Sequence, residues 1–420
     1  MFNFQKMIPF NKPYLLSGNE TQYIEQQVVS NSKISKKEIL LMSFLFVAFF
    51  FIYAYLTFFA SSDKSIHALF ARKMQEGAMT YPGNFIFYGL TNILSFCLSI
   101  FNIGTPSLSR LSVSILLALA TTYKFHWVYR NIFQKDFGEW SRFLLALSLI
   151  FVVAIPIPSV FVTGNWYLGN FTPNIWHNST TIFLFPFALM LFTASIKQIE
   201  AFSNRVNWWI LLLVFLNIFI KPSYFFVWIC VYPLFLLAKY RLTANFLKGL
   251  IPAIIGFLLL VVQYFYIFHF SNTYDDILGT VVYEESSVVI KPFLAYSILA
   301  PISMLPLALL FSMLFPLLYL FLNFKRLMKN TTFLFVYVSI FVAFAIYLLF
   351  IETGIRQYHG NFYWQIVVCV WLCFFISLSD LLKNKKQLGI KLYLSIAIYM
   401  VHVIAGIAYL GRYIFTGNYF

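Results

Sequence analysis

The sequence predicts an all-α membrane protein that crosses a bilayer many times. Of its 420 residues, 61% are hydrophobic and 10% are charged, whereas soluble domains are about half apolar and a quarter charged. The apolar residues form long runs, and a run of about 20 residues can cross a bilayer as a helix. The runs predict about eleven transmembrane helices, within a range of about 10 to 13, and an interfacial helix in the first outer loop. A soluble fold is excluded.

The apolar runs define the candidate spans in order. The clear runs are Ile39–Ala60, Phe143–Thr163, Thr180–Ser195, Gly249–Phe268, Phe293–Asn323, Thr331–Ile351, Tyr363–Leu382 and Leu392–Phe415. A further run, Trp208–Ala238, is interrupted by Lys221 and Pro222, and because proline kinks a helix we expect two short spans there. Asn84–Ile103 and Leu111–Tyr129 form either two spans or one span and a re-entrant segment.

Charge predicts the orientation of these spans. The formal net charge is +15, and in a membrane protein basic residues concentrate in cytoplasmic loops, so we expect no nucleic-acid partner. Lys33, Lys36 and Lys37 precede the first span and place the amino terminus in the cytoplasm. The other basic loops placed on that side are Lys124–Arg142, Lys197–Arg205, Lys239–Lys248, Lys325–Lys329 and Lys383–Lys391.

This orientation brings the distinctive polar clusters to the outer side of the membrane. It requires an odd number of crossings between Gly83 and Lys124. If both uncertain segments cross, the number of spans rises to about twelve and one basic loop lies outside. The outer loops are then Ser61–Gly83, Gly164–Asn178, the step at Lys221, His269–Pro292 and Glu352–Phe362.

Residues 1–38 are polar, and we expect a cytoplasmic tail ahead of a single transmembrane domain over residues 39–420. Met7–Pro13, Ser17–Glu20 and Ser32–Ser35 resemble the beginning of PLP-dependent sugar-nucleotide aminotransferases. The resemblance covers residues 7–35 only, and no cofactor-binding lysine region follows, so it implies no aminotransferase activity. The tail is either a native segment or the trace of a gene overlap, a fusion or a start-site artefact beside a sugar-modifying gene.

The first outer loop predicts a short amphipathic helix at the membrane surface. Asp63 and His67 are four residues apart and share one face of that helix. The apolar residues that recur at helical spacing are Ile66, Leu69, Phe70 and Met74. Asp63 is therefore either a candidate catalytic carboxylate or simply a helix cap with a solvated charge.

The next two outer segments carry candidate sugar- and phosphate-binding groups. Trp176, His177 and Asn178 combine aromatic faces with an amide, as sugar-binding surfaces do, although an interfacial anchor has the same composition. Lys221 lies within an apolar run, where a charge is costly unless it pairs or reaches a wet cavity. It is a candidate phosphate-binding cation, or it extends to the outer interface.

The last two outer loops contain acidic and mixed-charge clusters. Asp275 and Asp276 are weak candidates for a divalent metal site, since adjacent carboxylates in an exposed loop are usually solvated. The last cluster contains Glu352, Arg356, His359 and Asn361 between two long apolar runs. Arg356 offers a fork of donors that fits phosphate, and the alternative is a local ion pair between Glu352 and Arg356. We expect no metal and no other cofactor.

Together these clusters resemble the multi-spanning glycosyltransferases of the GT-C superfamily, in particular bacterial membrane proteins of surface-polysaccharide biosynthesis. The resemblance covers about residues 39–415 and rests on Asp63 after the first span, the stretch from Trp176 to Thr180, Lys221 and the Glu352 cluster. It implies an inverting, metal-independent transfer of a sugar from a polyprenyl-phosphate donor. No large soluble outer domain is present, which favours a lipid-linked or glycan acceptor.

The resemblance implies a role for each candidate residue. Asp63 is the expected base and His67 orients it or binds sugar, while Arg356 and Lys221 bind the departing phosphate. The residues expected to bind the sugar or the acceptor are Trp176, His177, Asn178, Glu352, His359 and Asn361. Glu352 is also the competing base. The expected location is the bacterial cytoplasmic membrane, with the site facing outward among membrane lipids.

Two other functions share these features. An O-antigen-type polymerase moves whole repeat units between lipid diphosphates and needs the same outer cations. A transporter or flippase of lipid-linked sugars should show internal repeats with broken helices at matching positions. The sequence shows one break, at Lys221-Pro222, and no clear second copy.

Overall fold

The structure is a computed structural model that describes residues 35–132, 138–157, 159–270 and 287–420, and these residues are almost entirely helical. Most of the amino-terminal tail lies outside the described residues, as do Asp275 and Asp276. Within the described ranges, eight helices are long and apolar enough to span a membrane, or nine if one bent pair forms a single span.

Two long helices in the first part of the described residues, the first and the fourth, pack antiparallel to each other. The first four helices are α1 (Lys36–Phe59), α2 (Asp63–Gln75), α3 (Ile86–Leu98) and α4 (Thr105–Asn131). The Tyr53 hydroxyl on α1 is 2.8 Å from that of Thr121 on α4, and Glu38 near the start of α1 pairs with Arg130 near the end of α4. The end of the bundle at which α1 finishes and α2 starts is called the site end below.

Of the two helices between Gly83 and Lys124, α3 stays near the site end, and only α4 runs from the site end to the opposite end of the bundle. Helix α3 starts beside the site-end loop, where the Asn92 amide donates to the Tyr81 hydroxyl at 2.8 Å. Pro106, in the first turn of α4, lies in the same groove as Ser65 of α2. Both ends of α3 therefore lie at the site end.

The prediction that Lys124 begins a basic loop is wrong. Lys124 lies inside α4, which continues to Asn131, and its ammonium group is buried in the bundle. The sequence placed Lys124 with the basic residues that follow it. The structure provides a partner far along the chain, because the Lys124 Nζ donates to the Asn174 Oδ1 at 2.5 Å.

The predicted continuous span Phe143–Thr163 is broken. It consists of α5 (Glu139–Phe151), a non-helical segment from Val152, and α6 (Ser159–Thr163). Pro156 explains the break, because its ring would clash in a helix with the carbonyl group four residues earlier, that of Val152, and it has no N–H to donate there. The freed backbone is partly satisfied, since the Val153 amide donates to the His402 carbonyl at 3.3 Å.

The middle of the chain contains four consecutive helices. They are α7 (Ser179–Glu200), α8 (Asn204–Ile220), α9 (Ser223–Tyr240) and α10 (Ala244–Phe265). The predicted break at Lys221-Pro222 is confirmed, because α8 ends at Ile220 and α9 starts at Ser223. The Asn178 and Ser203 side chains cap the first turns of α7 and α8.

The carboxyl-terminal part contains a short hairpin and several helices. The elements are β1 (Val288–Ile290), α11 (Leu294–Ser297), α12 (Leu305–Ser312), α13 (Leu314–Leu327), α14 (Thr331–Leu349), β2 (Phe350–Glu352), α15 (Trp364–Lys383), α16 (Lys385–Leu388) and α17 (Ile390–Thr416). Strands β1 and β2 pair antiparallel, with Val288 opposite Glu352. The predicted continuous span Phe293–Asn323 is divided, because the helices over Ile302–Ser312 and Leu314–Leu327 meet at an angle of 69°.

Burial separates central from peripheral helices. In the most apolar stretch of each helix, 89% of the residues of α15 and 78% of those of α7 are buried. The corresponding share is 22% for α1 and for the helix over Ala244–Phe268. The centre of the bundle is therefore built on α7 and α15, both of which begin at the site end. At the opposite end Arg326 pairs with Asp380, as Arg130 does with Glu38.

Candidate functional site

Three loops meet at the site end around Asp63. Asp63 is the first residue of α2 and is partly exposed. The Asn178 Nδ2 donates to the Asp63 Oδ2 at 2.9 Å, and the Asn178 Oδ1 accepts from the Lys221 Nζ at 3.0 Å. One amide thus links a carboxylate and an ammonium group that are 158 positions apart in the sequence.

The hydrogen bonds of Asn178 fix the orientation of its amide group. The Asn178 Oδ1 also accepts from the Thr181 backbone N–H at 3.1 Å, and a backbone N–H can only donate, as can an ammonium group. The nitrogen of the amide must then face Asp63. This cap begins α7, so the same residue that starts a central helix also holds the candidate base.

The site has an excess of positive charge at its floor. The Lys221 Nζ also donates to the Thr180 Oγ1 at 3.0 Å and lies 4.6 Å from the centre of the Trp364 ring. Thr180 and Trp364 belong to the first turns of α7 and α15, and Lys221 lies two residues before the start of α9. Helix amino termini carry a partial positive charge, so three of them surround a buried lysine. Such an arrangement favours an anionic ligand.

Lys64 is a second buried cation that the sequence analysis did not single out. Its Nζ donates to the Trp176 carbonyl oxygen at 2.8 Å and to the Tyr413 hydroxyl at 3.1 Å. The residue follows Asp63 directly, on the side of α2 that packs into the bundle. No sequence signal marked this residue, because Lys64 lies on the opposite side of α2 from Ile66 and Leu69 of the predicted apolar stripe.

Two histidines flank Asp63. The His67 Nδ1 lies 2.6 Å from the Tyr88 hydroxyl, one helical turn after Asp63 as predicted. The His177 ring is stacked on Tyr419 at 4.2 Å between centroids. The His177 Nδ1 is buried and has no hydrogen-bond partner among the described residues, so it can accept a bond from a ligand or donate one.

The charges of these groups respond to burial and to one another. Burial raises the pKa of Asp63, but His177, His67, the Asn178 amide and Lys221 outweigh it, so the pKa lies below its usual value. Burial lowers the pKa of His67 to about 4 and that of His177 to about 3, so both rings are neutral at pH 7. Burial also lowers the pKa of Lys221 to about 7, against an opposing effect of Asp63. The site therefore contains an ionised carboxylate beside a lysine that titrates near neutrality.

A second polar cluster lies in the segment from the end of β2 to α15. The Arg356 Nε is 3.0 Å from the Glu352 Oε1, and the Asn361 amide donates to the other carboxylate oxygen of Glu352. The Arg356 guanidinium also lies 5.3 Å from the centre of the Phe268 ring. The local ion pair considered from the sequence is therefore present. The side chain of His359 lies outside the described residues.

Trp176 lies beneath the site rather than on its surface. Its side chain is 1% exposed, and its ring packs against Tyr53 and Phe151 with centroids 5.8 and 6.0 Å apart. Its carbonyl oxygen, and not its ring, contacts Lys64. Trp364 and Tyr419 pack around His177. Of these two rings only that of Tyr419 is partly exposed, because Trp364 is buried as Trp176 is.

A buried polar contact supports this loop from below. The Lys124 Nζ lies 3.5 Å from the centre of the Phe185 ring and 4.4 Å from that of Trp371, and donates to Asn174. The Asn174 amide in turn donates to the carbonyl oxygens of Leu149 and Val152 at 3.0 and 2.7 Å. Lys124 thus attaches the loop that carries residues 176–178 to the interior of α4.

The described residues include no cluster of three or more His, Cys, Asp or Glu side chains that could hold a metal ion.

No known protein family, curated protein or solved structure matches this chain. The functional assignment therefore depends on the site itself.

Proposed function

We propose that this protein transfers a sugar from a polyprenyl-phosphate donor to a lipid-linked or glycan acceptor in surface-polysaccharide biosynthesis. The observation that carries the proposal is the pair of hydrogen bonds by which the Asn178 amide joins Asp63 to Lys221. Glycosyl transfer needs a base for the acceptor hydroxyl and a cation for the departing phosphate, and this arrangement offers one of each.

The proposed reaction is a single displacement. Asp63 accepts the proton of the acceptor hydroxyl as that oxygen forms a bond to the anomeric carbon of the sugar. The bond between the anomeric carbon and the phosphate oxygen breaks, and the phosphate leaves with the electron pair. Lys221 and the surrounding helix amino termini stabilise the growing phosphate charge. Arg356 is a further candidate phosphate-binding group, and Tyr419, which is partly exposed and stacked on His177, offers an aromatic ring to the sugar.

We further propose eleven crossings in a bacterial cytoplasmic membrane, with the amino terminus inside and the site facing outward. The path supports this number if α5 with α6, the short helix α8 and the bent pair α12 with α13 each cross once. Single cysteines at Ser61 and Asn330 test the orientation in a chain whose native cysteines are replaced. An impermeant thiol reagent should label position 61 on intact cells and not position 330. The reverse pattern refutes the proposed orientation.

A transporter of lipid-linked sugars is the second candidate, and Lys124 is the observation that favours it. An ionisable residue buried between membrane helices often marks a substrate or ion pathway. Against this, the space beside Lys124 is about 20 Å³, room for about one water molecule. Its contacts with Asn174 and two aromatic rings also account for its position.

Surface glycans of a deletion strain separate the candidates. The strain is complemented with the wild-type gene, with Asp63→Asn or with Arg356→Gln, at matched membrane levels. Loss of one sugar per repeat unit, not restored by Asp63→Asn, supports the transferase. Collapse of chain length to single units supports a polymerase, and accumulation of lipid-linked precursor at the inner face supports a transporter. If Asp63→Asn restores the surface glycans fully, Asp63 is not the base of the reaction.

A further inference from the structure

A groove on the far side of α2 contains two arginines that the candidate site does not use. The groove lies between α2 and the first turns of α4, and has a volume of about 260 Å³. It is lined by Ser65, Ile66, Leu69, Arg72, Pro106 and Arg110, together with Ala68.

The groove is separate from the Asp63 site although both lie on the same helix. Successive residues of an α-helix are rotated by about 100°, which places Arg72 about 180° from Asp63 around the axis of α2. Nine positions also separate the two residues, or roughly 13 Å along the helix. Asp63 and His67 therefore face the bundle, while Arg72 and Leu69 face outward.

The two arginines are poorly satisfied by the protein. The Arg72 Nε is buried without a hydrogen-bond partner in the described part of the chain, and its nearest carboxylate, Glu76, is 3.6 Å away and half exposed. The Arg110 guanidinium lies over the Phe58 ring at 5.4 Å, and among the described residues it makes no hydrogen bond or ion pair. Buried donors of a guanidinium group normally have acceptors.

The surroundings of the arginines are apolar. Ile66 is 49% exposed and Leu69 is 36% exposed on α2, and Ile103 before α4 is 38% exposed. A soluble anion gains nothing from this surface. An amphiphile places its charged group on the arginines and its hydrocarbon chain along the exposed apolar side chains, which lie beside the lipid-facing surface of α1.

We propose that this groove binds the phosphate headgroup of a membrane lipid. The guanidinium groups of Arg72 and Arg110 supply forked donors that match phosphate oxygens, and Ser65 adds a hydroxyl. The chemistry fits the phosphate of a phospholipid or of an isoprenyl phosphate. This inference does not depend on the proposed sugar transfer, because it uses neither Asp63 nor Lys221.

Binding to the purified full-length protein in detergent tests the groove. The probes are a long-chain isoprenyl monophosphate, phosphatidylglycerol and inorganic phosphate, with the isoprenol and diacylglycerol as phosphate-free controls. Native mass spectrometry counts bound lipid, and the rise of the unfolding temperature with ligand concentration gives the Kd. Arg72→Gln or Arg110→Gln should raise the Kd of the phosphate lipids about tenfold, since each removes a charge-assisted contact.

Two control variants keep the result interpretable. Lys291→Gln removes an exposed cation after β1 and should leave the Kd unchanged. The change in Kd is read with phosphatidylglycerol, which is not a ligand of the proposed sugar-transfer site, so failure of the sugar-transfer proposal does not affect this test. Arg110→Lys retains the charge without the forked donors, and should give an intermediate Kd if the protein folds normally.

The remaining outcomes identify the ligand or overturn the proposal. Binding of both phosphate lipids supports a general lipid-phosphate site, and a preference for the isoprenyl phosphate that is lost in Arg72→Gln and Arg110→Gln identifies a carrier lipid. The proposal fails if both glutamine variants bind like the wild type, or if the phosphate-free lipids bind equally well. It also fails if inorganic phosphate binds as tightly as the lipids, because the hydrocarbon chain of the lipid then contributes nothing to binding.

Discussion

Replacing Asn178 with Asp tests whether the amide sets the protonation of Asp63. The change conserves the shape of the side chain and its cap on α7, because Asp caps helices as well as Asn does. The carboxylate can still accept from Thr181 and Lys221. What it loses is the N–H that now donates to Asp63 at 2.9 Å, so two carboxylates face each other.

The expected size of the effect follows from that geometry. Two like charges about 4 Å apart repel by about 4 kcal/mol at an effective dielectric constant near 20, equivalent to about three pKa units. Lys221 offsets part of this, since its ammonium group contacts the new carboxylate. We therefore expect the pKa of the Asp63 carboxyl to rise by about one to three units. A carboxyl with a raised pKa holds its proton to higher pH, so a base at this position loses function as the pH falls through the new value.

Infrared difference spectroscopy measures this directly. The full-length protein in nanodiscs is titrated from about pH 8 to about pH 4, and the stretch of protonated carboxyl groups is followed. Asn178→Asp should show a protonated carboxyl at a pH where the wild type shows none. The signal should disappear in Asp63→Asn combined with Asn178→Asp.

Asn207→Asp is the matched control, because it also replaces a donating amide with a carboxylate, here near the end opposite the site, where the Asn207 amide donates to the backbone carbonyl oxygen of Lys248 at 2.8 Å. The reasoning is refuted if Asn178→Asp and Asn207→Asp titrate alike. It is also refuted if the new signal persists without Asp63.

Three further predictions use the same contacts. Binding of an inorganic phosphate or phosphonate probe at the Asp63 site should weaken as the pH rises above about 7, by up to about tenfold per pH unit, since the pKa of Lys221 is about 7. Calorimetry from about pH 6 to about pH 9 measures the Kd of the probe. A Kd that does not change with pH, or a pH dependence that is the same in Lys221→Gln, contradicts this. Asn174→Ala should lower the free energy of unfolding in detergent by about 2–4 kcal/mol, because it leaves the Lys124 ammonium group buried without its oxygen partner. Adding Lys124→Met should restore the part of the loss that is due to the buried charge, and not the part due to the lost bonds to Leu149 and Val152. A double variant no more stable than the single one rules this account out. Glu352→Gln should leave glycan synthesis above about half of normal if the carboxylate only pairs with Arg356, because the glutamine amide keeps an oxygen that can accept from the Arg356 Nε. Complete loss of surface glycan at normal membrane levels identifies Glu352 as the base.

Local features of the chain were well predicted from the sequence because they depend on near neighbours. The apolar runs predicted the long helices, and the i, i+4 spacing placed Asp63 and His67 on one face of a helix at the start of the first loop. Lys221-Pro222 predicted the break between α8 and α9, since a proline acts on the turn that precedes it. The breaks within Phe143–Thr163 and Phe293–Asn323 were missed, because hydropathy alone does not register how prolines divide an apolar run.

The contacts that make the site depend on tertiary structure. Asp63 and Asn178 are 115 positions apart, and no local periodicity brings them together. Lys124 was assigned to a loop by its charge, and only the packing of Asn174, Phe185 and Trp371 around it allows a lysine inside the bundle. The sequence by itself determined which residues are costly to bury in a membrane. Folding decided which of them share a site, because each buried charge needs a partner and that partner comes from a distant loop.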